Sequence, residues 1–244
     1  MNKRALVFQH MDDEPPGLFG EFLAARSYAM DIVMLHRGEA IPPLAPYDFL
    51  LVMGGAMDVW ETEANPWLVA EIAAIRKWVT AFERPYFGVC LGLQLLTIAL
   101  GGTVGLAASA EVGIGRIQLT PLGTQHPMTA GLPQSMRFMQ WHHAEVKTLP
   151  KGAQVLAGSS VSPVQIMAVG TTMLATQFHG ELNPALVERW AHIPQYIQWL
   201  EEALGPGAYG KVRAKALPLM PELAFHSRLM FENLLNANAL RKAA

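Results

Sequence analysis

The chain has 244 residues, 51% of them hydrophobic, a formal net charge of −2 and one cysteine. That length and apolar content can bury a large core, as one α/β domain or one domain with an appendage. A single cysteine excludes an internal disulfide and is compatible with a reducing cytoplasm. No block of Lys or Arg offers an electrostatic footprint for nucleic acid or an anionic membrane. No apolar run approaches the roughly eighteen residues of a membrane span, so neither partner is expected.

The first residues, Met1-Asn-Lys-Arg4, open like a signal peptide. The apolar run that follows is only Ala5 to Phe8 before Gln9, His10 and the acidic Asp12-Asp13-Glu14, so it reads as a first strand. Beyond Pro15-Pro16, Leu18, Phe22 and Ala25 share a helical face. Ile32 to Leu35 is a candidate second strand, and the unbroken run Asp48 to Met53 a third, of the kind parallel strands show when both faces are covered. It stops at Gly54-Gly55. Asn65-Pro66 reads as an N-cap and first helical position, followed by Leu68, Ile72, Ile75 and Val79 at helical spacing.

The stretch Pro85-Tyr-Phe-Gly-Val-Cys-Leu-Gly-Leu-Gln94 has the form of a nucleophile elbow. An apolar strand ends at Cys90, a helix from Leu91 to Leu100 begins at once, and Gly88 and Gly92 leave room for the backbone. A helix N-terminus favours negative charge and thus the thiolate, the attacking form of a cysteine. Gly101-Gly102 ends that helix. Strand and helix in alternation predict a doubly wound, mostly parallel sheet with its site at the carboxyl ends of the strands.

After Gly102 the texture changes to short strand-like runs: 114–119, 136–139, 145–149, 154–156, 164–169 and 172–177. This predicts a β-rich second half with hairpins. The last run stops at Phe178-His-Gly-Glu181. Asn183-Pro184 is again an N-cap with proline, and helices are expected over 185–190, 194–204 and about 221–236. Residues 1–190 are taken as one domain and 191–244 as a helical C-terminal extension packed on it.

Four motifs in order, Met53-Gly-Gly-Ala-Met57, Gly88-Val-Cys-Leu-Gly-Leu-Gln94, Trp141-His142 and Gln177-Phe-His-Gly-Glu181, resemble the class I (triad) glutamine amidotransferases. In detail the chain is most similar to free-standing proteins related to the amidotransferase domain of GMP synthetase, as are Gln9-His10 with Pro16-Gly17 and the Asn65-Pro66-Trp67 helix start. The resemblance covers residues 5 to 182 closely and implies a flavodoxin-like fold. It implies that Cys90 attacks the glutamine side-chain carbonyl to form a thioester, that His179 shuttles the proton, and that Glu181 orients His179. It further implies oxyanion donors at the backbone of Gly55 and Leu91, and substrate contacts from Gly54, Gln94, Trp141 and His142. His143 reads as a loop histidine.

Four positions depart from that family's pattern: Gly180 and Ala56 stand where proline is usual, and His143-Ala144 where Gly-Asp is usual. These leave the triad intact and bear on substrate handling and on coupling to a partner. Gly205-Pro-Gly-Ala-Tyr-Gly-Lys-Val212 has the spacing of a dinucleotide loop, but it follows a helix, and Val212 stands where a P-loop needs Ser or Thr. It is read as a helix-ending loop. The eight histidines show no metal-ligand spacing, and no cofactor is implied. Any ammonia acceptor is expected to be a separate protein. Two other classes stay open: a stand-alone hydrolase of γ-glutamyl peptides with the same triad, and a non-catalytic binding protein on this fold.

Overall fold

The computed structural model describes residues 3–190 and 192–243. Among these, nine strands form one sheet in the order β2-β1-β3-β4-β9-β8-β7-β5-β6. Strands β1 (Lys3–Gln9), β2 (Tyr28–Met34), β3 (Phe49–Val52), β4 (Tyr86–Val89) and β9 (Met173–Thr176) run parallel. From β9 outward, β8 (Ile166–Val169), β7 (Ala153–Gly158), β5 (Thr103–Leu119) and β6 (Ser135–Thr148) are all antiparallel. The sheet is therefore evenly mixed and not mostly parallel, because the β-rich second half adds its strands to the same sheet.

Side chains alternate across each central strand. Ala5 and Val7 of β1 belong to one buried cluster, with Phe19, Phe22, Phe87 and Phe231, while Leu6 and Phe8 belong to another, with Leu68, Ile75 and Leu96. Burial on both faces explains the unbroken apolar runs of β1 and β3. Helices α1 (Gly17–Ala25), α2 (Trp67–Lys77) and α3 (Leu91–Ala99) follow β1, β3 and β4. The buried face of α1 is Leu18, Phe19, Phe22 and Leu23; Ala25 faces solvent, since the 3.6-residue repeat carries it past the core.

The C-terminal helices are α4 (Pro184–Trp190), α5 (Pro194–Leu204), α6 (Ala208–Ala216) and α7 (Met220–Ala243). Phe231 of α7 lies among Phe19, Phe22, Phe49 and Phe87, inside the core of the sheet.

Several local expectations are corrected. The runs at 136–139 and 145–149 are one strand, β6, whose polar middle Gln140-Trp-His-His143 hides its continuity; His143 is thus a strand residue and not a loop one. The strand expected from Ile114 starts eleven residues earlier, in small residues that carry little strand signal. Asn65 caps α2 through its backbone carbonyl alone, since Pro66 takes the cap position without a side-chain bond, whereas the Asn183 side chain does accept the Leu186 N–H at 3.0 Å. The glycine-rich loop is only residues 205–207, with Gly205 and Gly207 at positive φ, and Val212 is a buried residue of α6.

Candidate active site

The carboxyl ends of β1, β3, β4 and β9 meet at one cavity of about 400 Å³. At the end of β4, Cys90 sits at φ 49°, ψ −101°, a strained conformation for a residue with a side chain. The elbow is held from several sides. The Cys90 N–H donates to Thr176 O at 2.8 Å, and the buried Tyr86 hydroxyl donates to Gly92 O at 2.7 Å. Only glycine fits at 92, where a Cβ would lie 2.4 Å from Val52 O.

Past β9, the chain makes a bridge in which the His179 N–H donates to Met139 O at 2.9 Å. His179 Nδ1–H donates to Glu181 Oε1 at 2.7 Å, both side chains buried. Burial opposes the charged imidazole, but the charges of Glu181 and Cys90 and hydrogen bonds to both outweigh it and hold the His179 pKa well above the ordinary histidine value. Trp190 of α4 stands edge-on to the imidazole at 5.2 Å. At Gly180 an added Cβ would lie 2.9 Å from Ser227 Oγ of α7, so a helix of the C-terminal region packs directly under this turn.

The glycine pair after β3 is fixed by residues to which no role attaches in the sequence. His10 is fully buried; its Nδ1 bonds Gly54 O at 2.8 Å and its Nε2 bonds Glu71 Oε1 of α2 at 2.9 Å. Its ring stacks on Trp67 at 5.4 Å. Burial again opposes its charge, and Glu71 outweighs it, raising the His10 pKa. In a trans peptide the carbonyl of Gly54 and the N–H of Gly55 point in opposite directions, and no cis bond occurs among the described residues. Drawing Gly54 O toward His10 therefore turns the Gly55 N–H away from His10, on a residue that lines the cavity.

Gln94, Trp141 and His142 all line the cavity, but their polar atoms differ in availability. Gln94 Nε2 donates to Gln177 Oε1 at 3.4 Å, and Gln177 Nε2 approaches Cys90 Sγ at 3.6 Å. Both ring nitrogens of His142 are engaged, by Ala144 O and by Gln140 Oε1, with Glu111 3.3 Å away. Trp141 Nε1 is buried and unpartnered. His143, expected to be a bystander, also lines the cavity and bonds Asp58.

Glu14, Tyr196 and Trp199 complete the wall without having been singled out in the sequence. Glu14 ends the acidic triplet Asp12-Asp13-Glu14, yet it is 4% exposed and its Oε1 accepts the Tyr196 hydroxyl. Its usable signal is position, in the loop that follows the carboxyl end of the buried strand β1. Among the described residues no cluster of three or more His, Cys, Asp or Glu could hold a metal ion, and no helix is long and apolar enough to cross a membrane.

This combination, a doubly wound sheet with a strained cysteine at a strand end and a His-Glu pair at the next strand, defines an α/β protein with an elbow-type site. Residues 22–188 match the family described as glutamine amidotransferase class-I. The chain is 34% identical over 183 residues to the glutamine amidotransferase-like protein YfeJ of Salmonella typhimurium, covering 73% of this chain and 76% of that protein. It is 30% identical to a glutamine-hydrolyzing GMP synthase chain of Saccharolobus solfataricus, covering 59% and 76%. It is 32% identical to a γ-glutamyl-L-1-hydroxyisopropylamide hydrolase of a Pseudomonas species, covering 58% of this chain and 49% of that one, about half its length. A solved glutamine amidotransferase from Thermotoga maritima superposes with a TM-score of 0.85 over 96% of this chain and 98% of its own, at 24% identity, a likeness of fold alone. The chain belongs to the class I glutamine amidotransferase family, and its sheet has the flavodoxin-like arrangement of that family.

Proposed function

We infer that this protein hydrolyses the glutamine side-chain amide through a Cys90 thioester, yielding glutamate and ammonia. The observation that carries the reading is His179, bonded at 2.7 Å to the buried Glu181 and lining the same cavity as a cysteine on a strained elbow. Cys90 attacks the γ-carbonyl carbon while His179, kept cationic by Glu181 and Cys90 against the cost of burial, protonates the departing nitrogen. The N–H groups of Gly55 and Leu91 take the oxyanion. Water then attacks the thioester carbon and gives a proton to His179, the C–S bond breaks with its electron pair returning to Cys90 as the thiolate, and glutamate leaves.

One observation favours a second reading, hydrolysis of a larger γ-glutamyl amide. The cavity of about 400 Å³ is in the range that accepts drug-sized ligands, and Trp141, Tyr196 and Trp199 form an aromatic wall beyond what a bare carboxamide needs. The hydrolase relative acts on such an amide by its name. The deciding experiment measures glutamate released by purified protein from glutamine and from a panel of γ-glutamyl amides, with Cys90→Ala as control. Loss of all turnover in Cys90→Ala is expected with an unchanged thermal unfolding curve; retained activity overturns the mechanism.

A further inference from the structure

One buried carboxylate in this cavity has no part in the chemistry just described. Glu14 is 4% exposed, its Oε1 accepts the Tyr196 hydroxyl, and its Oε2 is buried with no hydrogen-bond partner. A buried acceptor left unmet is costly, so the site calls for a donor there. The atom's outlook is defined by Gly54. A Cβ placed on that residue would lie 2.6 Å from Glu14 Oε2 and 3.0 Å from His179 Cε1. The free oxygen and the Cε1 edge of the imidazole thus both close on Gly54 and lie beside each other at the cavity wall. No Lys or Arg lines the cavity among the described residues, so the one cationic side chain beside Glu14 there is the His179 imidazole, which makes no hydrogen bond to Glu14 Oε2. Burial raises the Glu14 pKa, while the His179 charge and the Tyr196 hydrogen bond act against that rise.

We propose that Glu14 Oε2 receives an N–H of the nitrogen that leaves from the γ-carbonyl, making this corner a leaving-amine subsite for γ-glutamyl amides of ammonia or a primary amine. The assignment rests on the γ-glutamyl reading above. In the step concerned, the Cys90 sulfur forms its bond to the carbonyl carbon and the C–N bond breaks with its electron pair going to nitrogen. That nitrogen takes the proton from His179 Nε2 and departs as neutral ammonia or amine, with Glu14 holding one of its N–H groups throughout. Tyr196, from α5, holds the other carboxylate oxygen and so aims the free one.

The test compares glutamine, γ-glutamyl ethylamide and glutamate γ-ethyl ester, all read by glutamate release. The ester keeps the α-ammonium group and lacks only the N–H on the leaving atom, so it separates the two sources of N–H that could meet Glu14. In Glu14→Gln, kcat/KM for both amides is expected to fall by roughly 10- to 100-fold, and the amide-to-ester ratio by about tenfold or more. Tyr196→Phe should move the ratio the same way by a smaller factor. Each ratio is taken within one preparation, so a misfolded fraction cancels, and Tyr196→Phe gives the answer if Glu14→Gln does not fold. Equal losses on amide and ester would assign Glu14 to the α-ammonium or to the scaffold and overturn the proposal, as would no loss at all. A wild-type protein that cleaves none of the three substrates would instead overturn the γ-glutamyl reading itself, and this assignment with it.

Discussion

At the residue scale the site turns on how one imidazole is kept charged while buried. Desolvation alone would drive His179 neutral, yet Glu181 at 2.7 Å and Cys90 reverse the balance. A general acid stays useful only below its pKa, so a raised pKa keeps the proton available through neutral pH and loses it as pH rises further. Under this assignment His179→Ala, which deletes the shuttle, should cost about 10²- to 10⁴-fold in kcat. Glu181→Gln should cost less, because the amide can still accept the Nδ1 hydrogen bond while its negative charge is gone. Its distinguishing sign is in pH: with the Glu181 charge removed, the alkaline limb of the kcat/KM profile should move to lower pH. Profiles of the wild type and both variants check the ordering and the shift; Glu181→Gln worse than His179→Ala would reverse the roles of shuttle and orienter.

At the scale of elements, the end of β1, the loop after β3 and helix α2 are tied together by His10. Its two nitrogens serve Gly54 O and Glu71, and through the Gly54–Gly55 peptide it sets the direction of the Gly55 N–H, the proposed oxyanion donor. In His10→Asn the side-chain amide can reach only one of those partners, and kcat is expected to fall toward the 10²- to 10³-fold typical of a lost oxyanion donor, with KM little changed. Stability should respond to pH as well. The folded His10 pKa is raised, so its contribution is full below the unfolded value of about 6.5 and is lost as pH rises through the higher folded value. Melting temperatures of wild type and variant from about pH 5 to about pH 8.5 should converge at the alkaline end. Elements whose signal is local were legible in the sequence: the apolar β1, β3 and β4, the elbow at Cys90, and the proline starts of α4 and α5. The support of the Gly54-Gly55 loop was only half legible, since Gln9-His10 carried a resemblance but nothing along the chain pairs it with Glu71, 61 positions away. Glu14 and Tyr196 are 182 positions apart and acquire their meaning only when the fold brings them together. The first eleven residues of β5 and the middle of β6 were missed because their strand character comes from pairing with each other and not from their residues.

For the whole molecule, what matters is how much of the site the chain builds for itself. Helices α4 and α5 bring Trp190, Tyr196 and Trp199 against His179, Trp141 and one another, and α7 packs under Gly180 through Ser227. The Gly54-Gly55 loop is pinned from within by His10. An amidotransferase that waits for its synthetase completes its site only when the acceptor engages, so that binding of the correct partner drives assembly. Here the aromatic wall, the His179–Glu181 pair and the Gly54-Gly55 loop are already in place without one. We therefore expect the purified chain to release glutamate from its preferred γ-glutamyl amide at an ordinary enzymatic rate, near about 10 s⁻¹, and addition of a cell lysate to leave that rate unchanged. Steady-state kinetics with and without lysate, using glutamine and larger γ-glutamyl amides in parallel, also ranks the two substrate readings. The larger amides should gain most from the aromatic wall, and Trp199→Ala should raise KM for them more than for glutamine. Slow turnover that a lysate fraction raises severalfold would show the site to be incomplete alone, and would place the missing part on a separate acceptor protein.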